Sequence, residues 1–350
     1  VQQLTRDNRI ARYRKLDTFS SMGGGAMSPS GKYAGGFTAS IAADDSWQYS
    51  PTIVDLETGE VYEFGPFPES LYYLMQTMAI TNQGLLFISD GGGQIAIDLT
   101  GNIFIPEAPA GFTSKPDIQG TSADGKYWVG FGMKGKAFED ETPCKALLWT
   151  DGVPTELPWP DLNYRDEEPW YGGMARGISA NGKIIYGTSW ENYDFGMLYW
   201  VNNGENTGKP KWVGEDVRKV TPVVLERPDG TTYETHIADG LICDATATKI
   251  SPSGKWIAST YRTEEISENK QAIKKIQKAA FYNTETETTT IVEDYGESMG
   301  MYVTDDGIAF IAIGTYASTS SVVYDLNTGT DLGDMALSLI HISEPTRLGM

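Results

Sequence analysis

Short apolar runs alternate with polar turns along the chain, and one turn motif recurs between them. In each copy a Ser or Thr is followed three residues later by a glycine. Glycine adopts the left-handed backbone conformation that closes a tight hairpin, and the apolar run after the turn has the length of a buried strand. The motif therefore predicts hairpins with turns at 28–31, 81–84, 122–125, 179–182, 251–254 and 304–307.

A second motif, an apolar strand that ends in a polar turn, follows each copy of the first. Its copies lie at 53–59, 95–101, 147–152, 198–204, 280–285 and 322–329. A short strand follows most copies, so each repeat contains four strands joined by two tight turns and a longer loop. Four antiparallel strands in such a repeat indicate one blade of a β-propeller. Because a single blade cannot cover both faces of its own sheet, neighbouring blades must pack together.

The predicted fold class is therefore all-β, a β-propeller of four-stranded antiparallel blades with six visible repeats. We expect an intact protein of six to eight blades and a single domain over 1–336. The widest gap between turn glycines contains a hairpin with a Pro-Asp-Gly turn at 228–230, which we assign to the fourth blade. A second insertion, the charged segment 264–278, is compatible with a short helix. The predicted blades span about 20–65, 74–107, 117–158, 172–236, 240–294 and 298–334.

Two motifs carry a resemblance to known repeat families. Ser-Pro-Ser-Gly-Lys-Tyr at 28–33, followed by Val-Asp-Leu-Glu-Thr-Gly at 54–59, is similar to the repeats of TolB-type and WD-like propellers. Ile-Ser-Ala-Asn-Gly at 178–182, with the later Trp200, resembles the HAF repeats of bacterial extracellular proteins. The resemblance covers about 20–335 and implies the propeller architecture and a secreted, cell-surface or periplasmic location. It implies no particular activity, since propellers include both enzymes and scaffolds.

The C-terminal segment differs from the rest of the chain. Residues 337–347 read Leu-Ser-Leu-Ile-His-Ile-Ser-Glu-Pro-Thr-Arg and break the repeat pattern. This string resembles an in-frame translation of a transposase adapter used in sequencing libraries. We therefore expect 337–350 to be a non-native tail and the natural protein to continue past Ala336. A following α/β domain with a Gly-x-Ser-x-Gly motif would indicate a hydrolase, whereas a final blade would favour a binding module.

The composition limits the partners and cofactors that we expect. The formal net charge is −20, and so acidic a surface repels nucleic-acid phosphates. We therefore predict no nucleic-acid binding. We also predict no membrane span, because no apolar run approaches the roughly 18 residues of a membrane-spanning helix. Cys144 and Cys243 lack metal-ligand spacing and are either buried free thiols or, in an exported protein, a disulfide. We predict no cofactor, because the calcium-like spacing of Asp325, Asn327 and Asp331 aligns with an ordinary turn of the second motif.

The candidate binding residues lie in the longer loops. Both short turn motifs would lie on one face of a propeller, so the longer loops lie on the opposite face, where a rigid scaffold often carries its functional residues. Their aromatic rings can stack on a ligand and their carboxylates accept hydrogen bonds from hydroxyl groups, which suits a carbohydrate or peptide ligand. The same side chains could instead pack over neighbouring blades. The predicted ligand-binding residues are Asp45, Trp47, Trp159, Tyr164, Asp166, Trp170, Tyr171, Trp190, Glu191, Tyr193 and Asp194.

No motif of the sequence marks a catalytic centre. A Gly-x-Ser-x-Gly motif and a His/Cys cluster are absent, and the Gly-x-Gly-x-x-Gly run at 130–135 lies on a predicted strand with no helical pattern after it. We therefore interpret the chain as a secreted or surface-exposed bacterial binding or interaction module. The alternative is an enzyme: a propeller glycosidase or lyase that uses loop carboxylates, or the propeller half of a truncated serine hydrolase or peptidase.

Overall fold

The computed structural model consists of β-strands joined by turns and loops in the residues that it describes. These are 25–45, 47–65, 67–68, 75–90, 94–114, 116–135, 144–158, 173–189, 197–204, 207–208, 211–213, 219–242, 249–314 and 320–334. The strands of these residues form six antiparallel sheets, and each sheet contains a meander of four strands. Such meanders are the blades of β-propellers, so the predicted all-β propeller class is confirmed.

The chain divides into two compact units, Val1–Glu191 with Trp200–Pro210 and Asn192–Tyr199 with Lys211–Met350. Sheet one is formed by β1–β5, sheet two by β6–β9 and sheet three by β10–β13. Their bounds are β1 (Ala26–Met27), β2 (Tyr33–Ile41), β3 (Trp47–Asp55), β4 (Val61–Glu63), β5 (Phe67–Pro68), β6 (Met75–Ile80), β7 (Leu86–Asp90), β8 (Gln94–Ile97), β9 (Ile103–Phe104), β10 (Asp117–Thr121), β11 (Tyr127–Met133), β12 (Cys144–Thr150) and β13 (Val153–Glu156).

Sheets four to six follow in chain order. Sheet four is formed by β14–β17, sheet five by β18–β23 and sheet six by β24–β27. Their bounds are β14 (Gly173–Ile178), β15 (Ile184–Ser189), β16 (Met197–Val201), β17 (Lys211–Trp212), β18 (Lys219–Glu226), β19 (Thr232–Ile242), β20 (Lys249–Ile250), β21 (Trp256–Ile266), β22 (Ile273–Asn283), β23 (Thr288–Ile291), β24 (Ser298–Val303), β25 (Ile308–Ile313), β26 (Ser320–Asp325) and β27 (Thr330–Asp334).

The first turn motif has the same geometry in all six sheets. Each turn glycine has φ between 70° and 85° and donates its N–H to the carbonyl oxygen of the Ser or Thr three residues earlier. The hydroxyl group of that residue accepts the N–H that begins the next strand, as between Tyr33 and Ser28 at 3.0 Å. Only glycine adopts such φ values without strain, so the predicted turns are confirmed. The turn glycines are Gly31, Gly84, Gly125, Gly182, Gly254 and Gly307.

Hydrogen bonds join the turns of consecutive sheets to each other. The second or third residue of one turn contacts the second or third residue of the next. In the first unit the donor and acceptor pairs are Ser30 N to Asn82 Oδ1 at 2.8 Å, Gln83 Nε2 to Asp124 O at 2.9 Å and Ala123 N to Ala180 O at 2.7 Å. In the second unit the Ser253 N–H donates to Asp305 Oδ1 at 2.9 Å. Neighbouring turns therefore lie side by side within each unit.

The first strand of four sheets carries a β-bulge at one equivalent position. The extra residue lies six positions before the turn glycine. It has no partner in the ladder, so it changes the direction of the strand and of its own side chain. The extra residues are Met78, Gln119, Arg176 and Met301.

Small residues of the second strand face this part of the first strand. A β-carbon added to Gly130 would lie 1.9 Å from the carbonyl oxygen of Asp117, and one added to Gly187 would lie 2.2 Å from that of Met174. The bulged backbone of sheets three and four thus excludes any side chain here. The equivalent residue, five positions after each turn glycine, is small in all six repeats: Gly36, Ser89, Gly130, Gly187, Ser259 and Ala312.

The sheets bury apolar side chains against one another within each unit. Successive side chains of β7 point to opposite faces, so Leu86 and Ile88 pack with sheet one while Phe87 packs with Trp149 of sheet three. In the second unit Phe281 of sheet five packs with the inner residues of sheet six. The middle strand β7 is apolar on both faces because sheets one and three cover them.

Two predictions about the insertions are wrong. The segment 264–278 is not a helix, because β21 and β22 continue through it as a hairpin in which Glu264 lies opposite Lys275. The hairpin around 228–230 forms as predicted from β18 and β19, but it does not belong to the fourth blade. Its second strand continues to Ile242 and pairs with β21, so the hairpin is part of sheet five. The single-domain assignment stays a prediction.

Candidate functional site

The long connections leave the sheets at the end opposite to the repeated turns. In sheet three, β10 begins at Asp117, and β12 begins at Cys144 after the connection 134–143. In sheet four, Gly173 at the start of β14 pairs with Ser189 at the end of β15. The connections next to Gly173 and Ser189 contain most of the predicted ligand-binding residues. Those that lie outside the described residues are Trp159, Tyr164, Asp166, Trp170, Tyr171, Trp190, Glu191, Tyr193 and Asp194.

The remaining two predicted residues lie at the corresponding end of sheet one. Asp45 is exposed in the turn between β2 and β3, has φ of 64° and donates its N–H to the carbonyl oxygen of Ala42 at 3.0 Å. Trp47 begins β3 opposite Ile41, and its side chain lies outside the described part. Their role in ligand binding stays a prediction.

Arg176, the extra residue of the bulge in β14, presents an unfilled hydrogen-bond donor. Its guanidinium carbon lies 5.8 Å from the ring centroid of Phe131 on β11, so it contacts the neighbouring sheet. Its Nε atom is buried and has no hydrogen-bond partner in the described structure. Stacking on a ring leaves the N–H groups of a guanidinium free in its plane. The bulge therefore places a positively charged donor group at the long-connection end of sheet four.

Asp117 lies near Arg176 at the start of β10 and accepts a hydrogen bond from one amide side chain. Gln94, a fully buried residue of sheet two, donates from Nε2 to Asp117 Oδ1 at 2.7 Å and to Ile118 O at 2.9 Å. Its Oε1 accepts the Ile118 N–H at 2.5 Å. The Gln119 side chain lies close to the Asp117 carboxylate and favours its ionised form. The Gln94 amide thus satisfies the free edge of β10 and fixes the position of the carboxylate.

Cys144 completes this group of side chains, which we call the Asp117–Arg176 cluster (Gln94, Asp117, Gln119, Cys144 and Arg176). It is a free thiol, fully buried, and its Sγ donates to the carbonyl oxygen of Gly173 at 3.6 Å. Burial raises the pKa of this thiol to about 12, although the Arg176 charge opposes the shift. At neutral pH Cys144 is therefore a protonated packing residue rather than a nucleophile. Cys243 lies outside the described residues.

Burial raises the pKa of the Asp117 carboxyl group, and the nearby Arg176 charge only partly offsets this shift. A folded-state pKa above the unfolded value means that the folded protein binds the proton more tightly. Ionisation of Asp117 therefore costs stability as pH rises through the folded-state pKa. We expect the Asp117→Asn variant to gain stability relative to the wild type as pH rises above the ordinary pKa of an aspartate, about 4. The difference in urea midpoints at successive pH values measures this gain.

Asp98 offers a matched control of the opposite sign. Hydrogen bonds from Thr100 lower the pKa of its carboxyl group to about 2, and bonds from Asn102 assist. Its stabilisation is fully present above the unfolded pKa and is lost as pH falls through about 2. The Asp98→Asn variant should therefore lose relative stability over the same rise in pH. Parallel pH dependences for the two variants would contradict the burial of the Asp117 charge.

The cluster was missed in the sequence because its members belong to strands rather than to loops. For Arg176 alone, a comparison of the repeats could have indicated an unusual residue. Aligning the repeats on their turn glycines puts Met78, Gln119, Arg176 and Met301 at one position, where Arg176 alone is charged. Asp117, Gln94 and Cys144 carry no such signal, because their proximity depends on how the sheets pack.

The described residues contain no group of three or more His, Cys, Asp and Glu side chains that could hold a metal ion. In the calcium-like strip, Asp325 Oδ1 accepts the Asn327 N–H at 2.9 Å, and Asp331 accepts hydrogen bonds from Gly333 N and the Tyr295 hydroxyl group. The contacts with Asn327 and Gly333 are local turn contacts, whereas Tyr295 lies in the segment between β23 and β24. The Gly-x-Gly-x-x-Gly run begins on β11, as the sequence predicts. Among the residues described, no helix is long and apolar enough to cross a bilayer.

Comparisons with known proteins concern the fold. The chain matches no protein-family model and no curated protein. It is similar to the solved structure of Porphyromonas gingivalis dipeptidyl peptidase 4, with 10% identity, a TM-score of 0.45 and coverage of 95% of this chain and 57% of that chain. The chain thus spans little more than half of that peptidase.

Two further solved structures are similar over most of their length. Oligogalacturonate lyase from Vibrio parahaemolyticus has 11% identity and a TM-score of 0.48, with coverage of 88% of this chain and 75% of that chain. The β-propeller domain of the trilobed protease from Pyrococcus furiosus has 12% identity and a TM-score of 0.48, with coverage of 89% and 82%. At such identities the similarity concerns the architecture, and it assigns no activity to this chain.

Proposed function

We propose that this chain is a secreted or surface-exposed bacterial binding module whose ligand, a carbohydrate or a peptide, contacts the long-connection end of sheets three and four. The observation that carries the proposal is the Arg176 guanidinium, whose buried Nε lacks a partner at this end. Burying a polar group without a hydrogen bond is costly, and a bound ligand that fills the donor would offset this cost. The aromatic residues of the adjoining connections would supply the stacking surface.

The proposal is tested by removing two of those aromatic side chains. We expect Trp170→Ala and Trp190→Ala each to weaken binding by about ten-fold or more, because a stacked aromatic ring at the centre of a site contributes on the order of 1–2 kcal/mol or more. A ligand is first selected from arrays of oligosaccharides and peptides, and its affinity is then measured by calorimetry.

Trp128→Phe is the matched control. Trp128 lies at the repeated-turn end of sheet three, where its Nε1 donates to Gly125 O at 2.9 Å. This variant removes an indole from the opposite end of the sheet and should leave affinity unchanged. Retained affinity in both Trp170→Ala and Trp190→Ala would rule out this end as the site. Chemical turnover of the selected ligand would favour the enzyme alternative.

A further inference from the structure

We propose that Arg176 binds a carboxylate group of the ligand, so that the module recognises a monovalent organic acid. This inference rests on the proposed binding function and adds the chemical class of the ligand. The first support is the geometry of the side chain. The bulge of β14 gives Arg176 a direction that the ladder would not allow, and the ring of Phe131 lies beside the guanidinium at 5.8 Å. A guanidinium group carries pairs of parallel N–H donors, which match the two oxygens of a carboxylate.

The second support is that the charge of Arg176 has no dedicated partner in the described structure. The ion pairs between described residues do not include Arg176. Asp117 is the nearby carboxylate and interacts with the Arg176 charge, but its Oδ1 already accepts a hydrogen bond from Gln94. A partly buried guanidinium that no anion contacts directly is costly, and an incoming carboxylate would reduce this cost.

The third support concerns the size of the ligand charge. The chain has a net charge of −20, and Asp117 lies beside the cation. Both features repel a phosphate dianion or a polyanion far more than a single carboxylate. The Gln119 amide and the face of Phe131 add a polar and an apolar contact of the kind that orients a small organic molecule. A monovalent acid therefore fits the charge and the chemistry of the cluster best.

The test compares acids with neutral counterparts of the same shape. The first pair of probes is glucuronate and glucose, and the second is glycylglycine and its C-terminal amide. Ligand-observed NMR titration measures the affinity of each probe. We expect one acid to bind at least ten-fold more tightly than its neutral counterpart. The pair that shows the difference identifies the source of the carboxylate, a uronic acid or a peptide C-terminus.

The variants Arg176→Gln and Arg176→Lys test the role of the side chain. We expect Arg176→Gln to weaken binding of the acid by about 10- to 100-fold, and Arg176→Lys, which keeps the charge but loses the planar donor pair, to weaken it less. Binding of the neutral counterpart should change little. Near-ultraviolet circular dichroism shows that each variant is folded. Arg227→Gln is the control, since Arg227 also lies over a ring, that of Tyr233 at 4.6 Å, but on the hairpin of sheet five.

Three results would overturn the inference. These are equal affinities for acid and neutral counterpart, an Arg176→Gln variant that binds the acid normally, and no binding of either acid at tens of millimolar. If a neutral probe binds, and that binding is lost in Trp170→Ala but not in Arg176→Gln, the result would support the proposed binding function. It would reject only the inference that the ligand carries a carboxylate. Acid binding that depends on Arg176 but not on the tryptophans would support carboxylate recognition. It would also show that the aromatic connections are not part of the site.

Discussion

Trp149→Ala should lower the free energy of unfolding by about 3–5 kcal/mol, the loss typical of a buried aromatic side chain. Trp149 is fully buried and packs with Phe87, Ile118 and Leu147 between sheets two and three. Its Nε1 donates to the carbonyl oxygen of Glu107 at 2.8 Å, in the segment that leads from sheet two to sheet three. Truncation therefore leaves a cavity and an unpaired carbonyl group at the same place. Urea denaturation followed by tryptophan fluorescence measures the loss.

The Trp149→Phe variant separates packing from the hydrogen bond. It keeps most of the apolar volume and loses only the indole donor, so we expect a loss of about 1–2 kcal/mol. The same hydrogen bond can be tested independently at Trp200. Its Nε1 donates to Pro158 O at 2.7 Å, across the same separation of 42 residues as between Trp149 and Glu107. A loss below about 1 kcal/mol for Trp149→Ala would show that sheets two and three do not pack as described.

Gly130→Ala is expected to cost about 3 kcal/mol or more and to weaken ligand binding as well. The added β-carbon would lie 1.9 Å from the Asp117 carbonyl oxygen and 3.0 Å from the Ile118 α-carbon, so β10 or β11 must move. Because both contacts are with backbone atoms, no change of side-chain rotamer can relieve them. The movement would displace Asp117 and with it the Asp117–Arg176 cluster. Thermal unfolding and the acid titration measure the two effects.

Gly187→Ala and Gly208→Ala are the matched controls for this substitution. Gly187 is the equivalent residue of sheet four, and its added β-carbon would lie 2.2 Å from the Met174 carbonyl oxygen, so a similar loss is expected. At Gly208 an added β-carbon has no atom within 4 Å, and the change should be near neutral. If Gly130→Ala proved as stable as Gly208→Ala, the close approach of β10 to β11 would be refuted.

The sequence predicted the hairpins correctly because their turns are determined locally. A Ser or Thr hydroxyl group, a left-handed glycine and the following apolar strand all lie within a few residues of each other. The insertion 264–278 was mispredicted because its pairing is decided by a distant strand. Its charges resemble a helix face when read along one strand, yet Glu264 and Glu265 lie opposite Lys275 and Lys274 across the hairpin. Such cross-strand pairs stabilise a sheet and leave no local signature.

The candidate site was predicted only in part, for a related reason. The long-connection end could be deduced from turn lengths, because short turns at one end of a meander leave the longer loops at the other. The choice of loop residues remains untested, and the strand residues were not foreseen. Arg176 lies in the first strand of its repeat, where a bulge places it outside the ladder. Bulges depend on the pairing of two strands, so a single strand sequence does not reveal them.

The contacts between neighbouring turns imply that the blades of this chain are not interchangeable. At one junction an amide side chain accepts from a backbone N–H, at the next an amide side chain donates to a backbone carbonyl, and at a third both groups belong to the backbone. In the second unit a carboxylate takes the acceptor role. At these four junctions the donor and acceptor groups thus differ from one junction to the next. Where a side chain makes the contact, as at Asn82, Gln83 and Asp305, a repeat that is duplicated, deleted or moved would lose that bond, so these three residues favour the neighbours that the chain has.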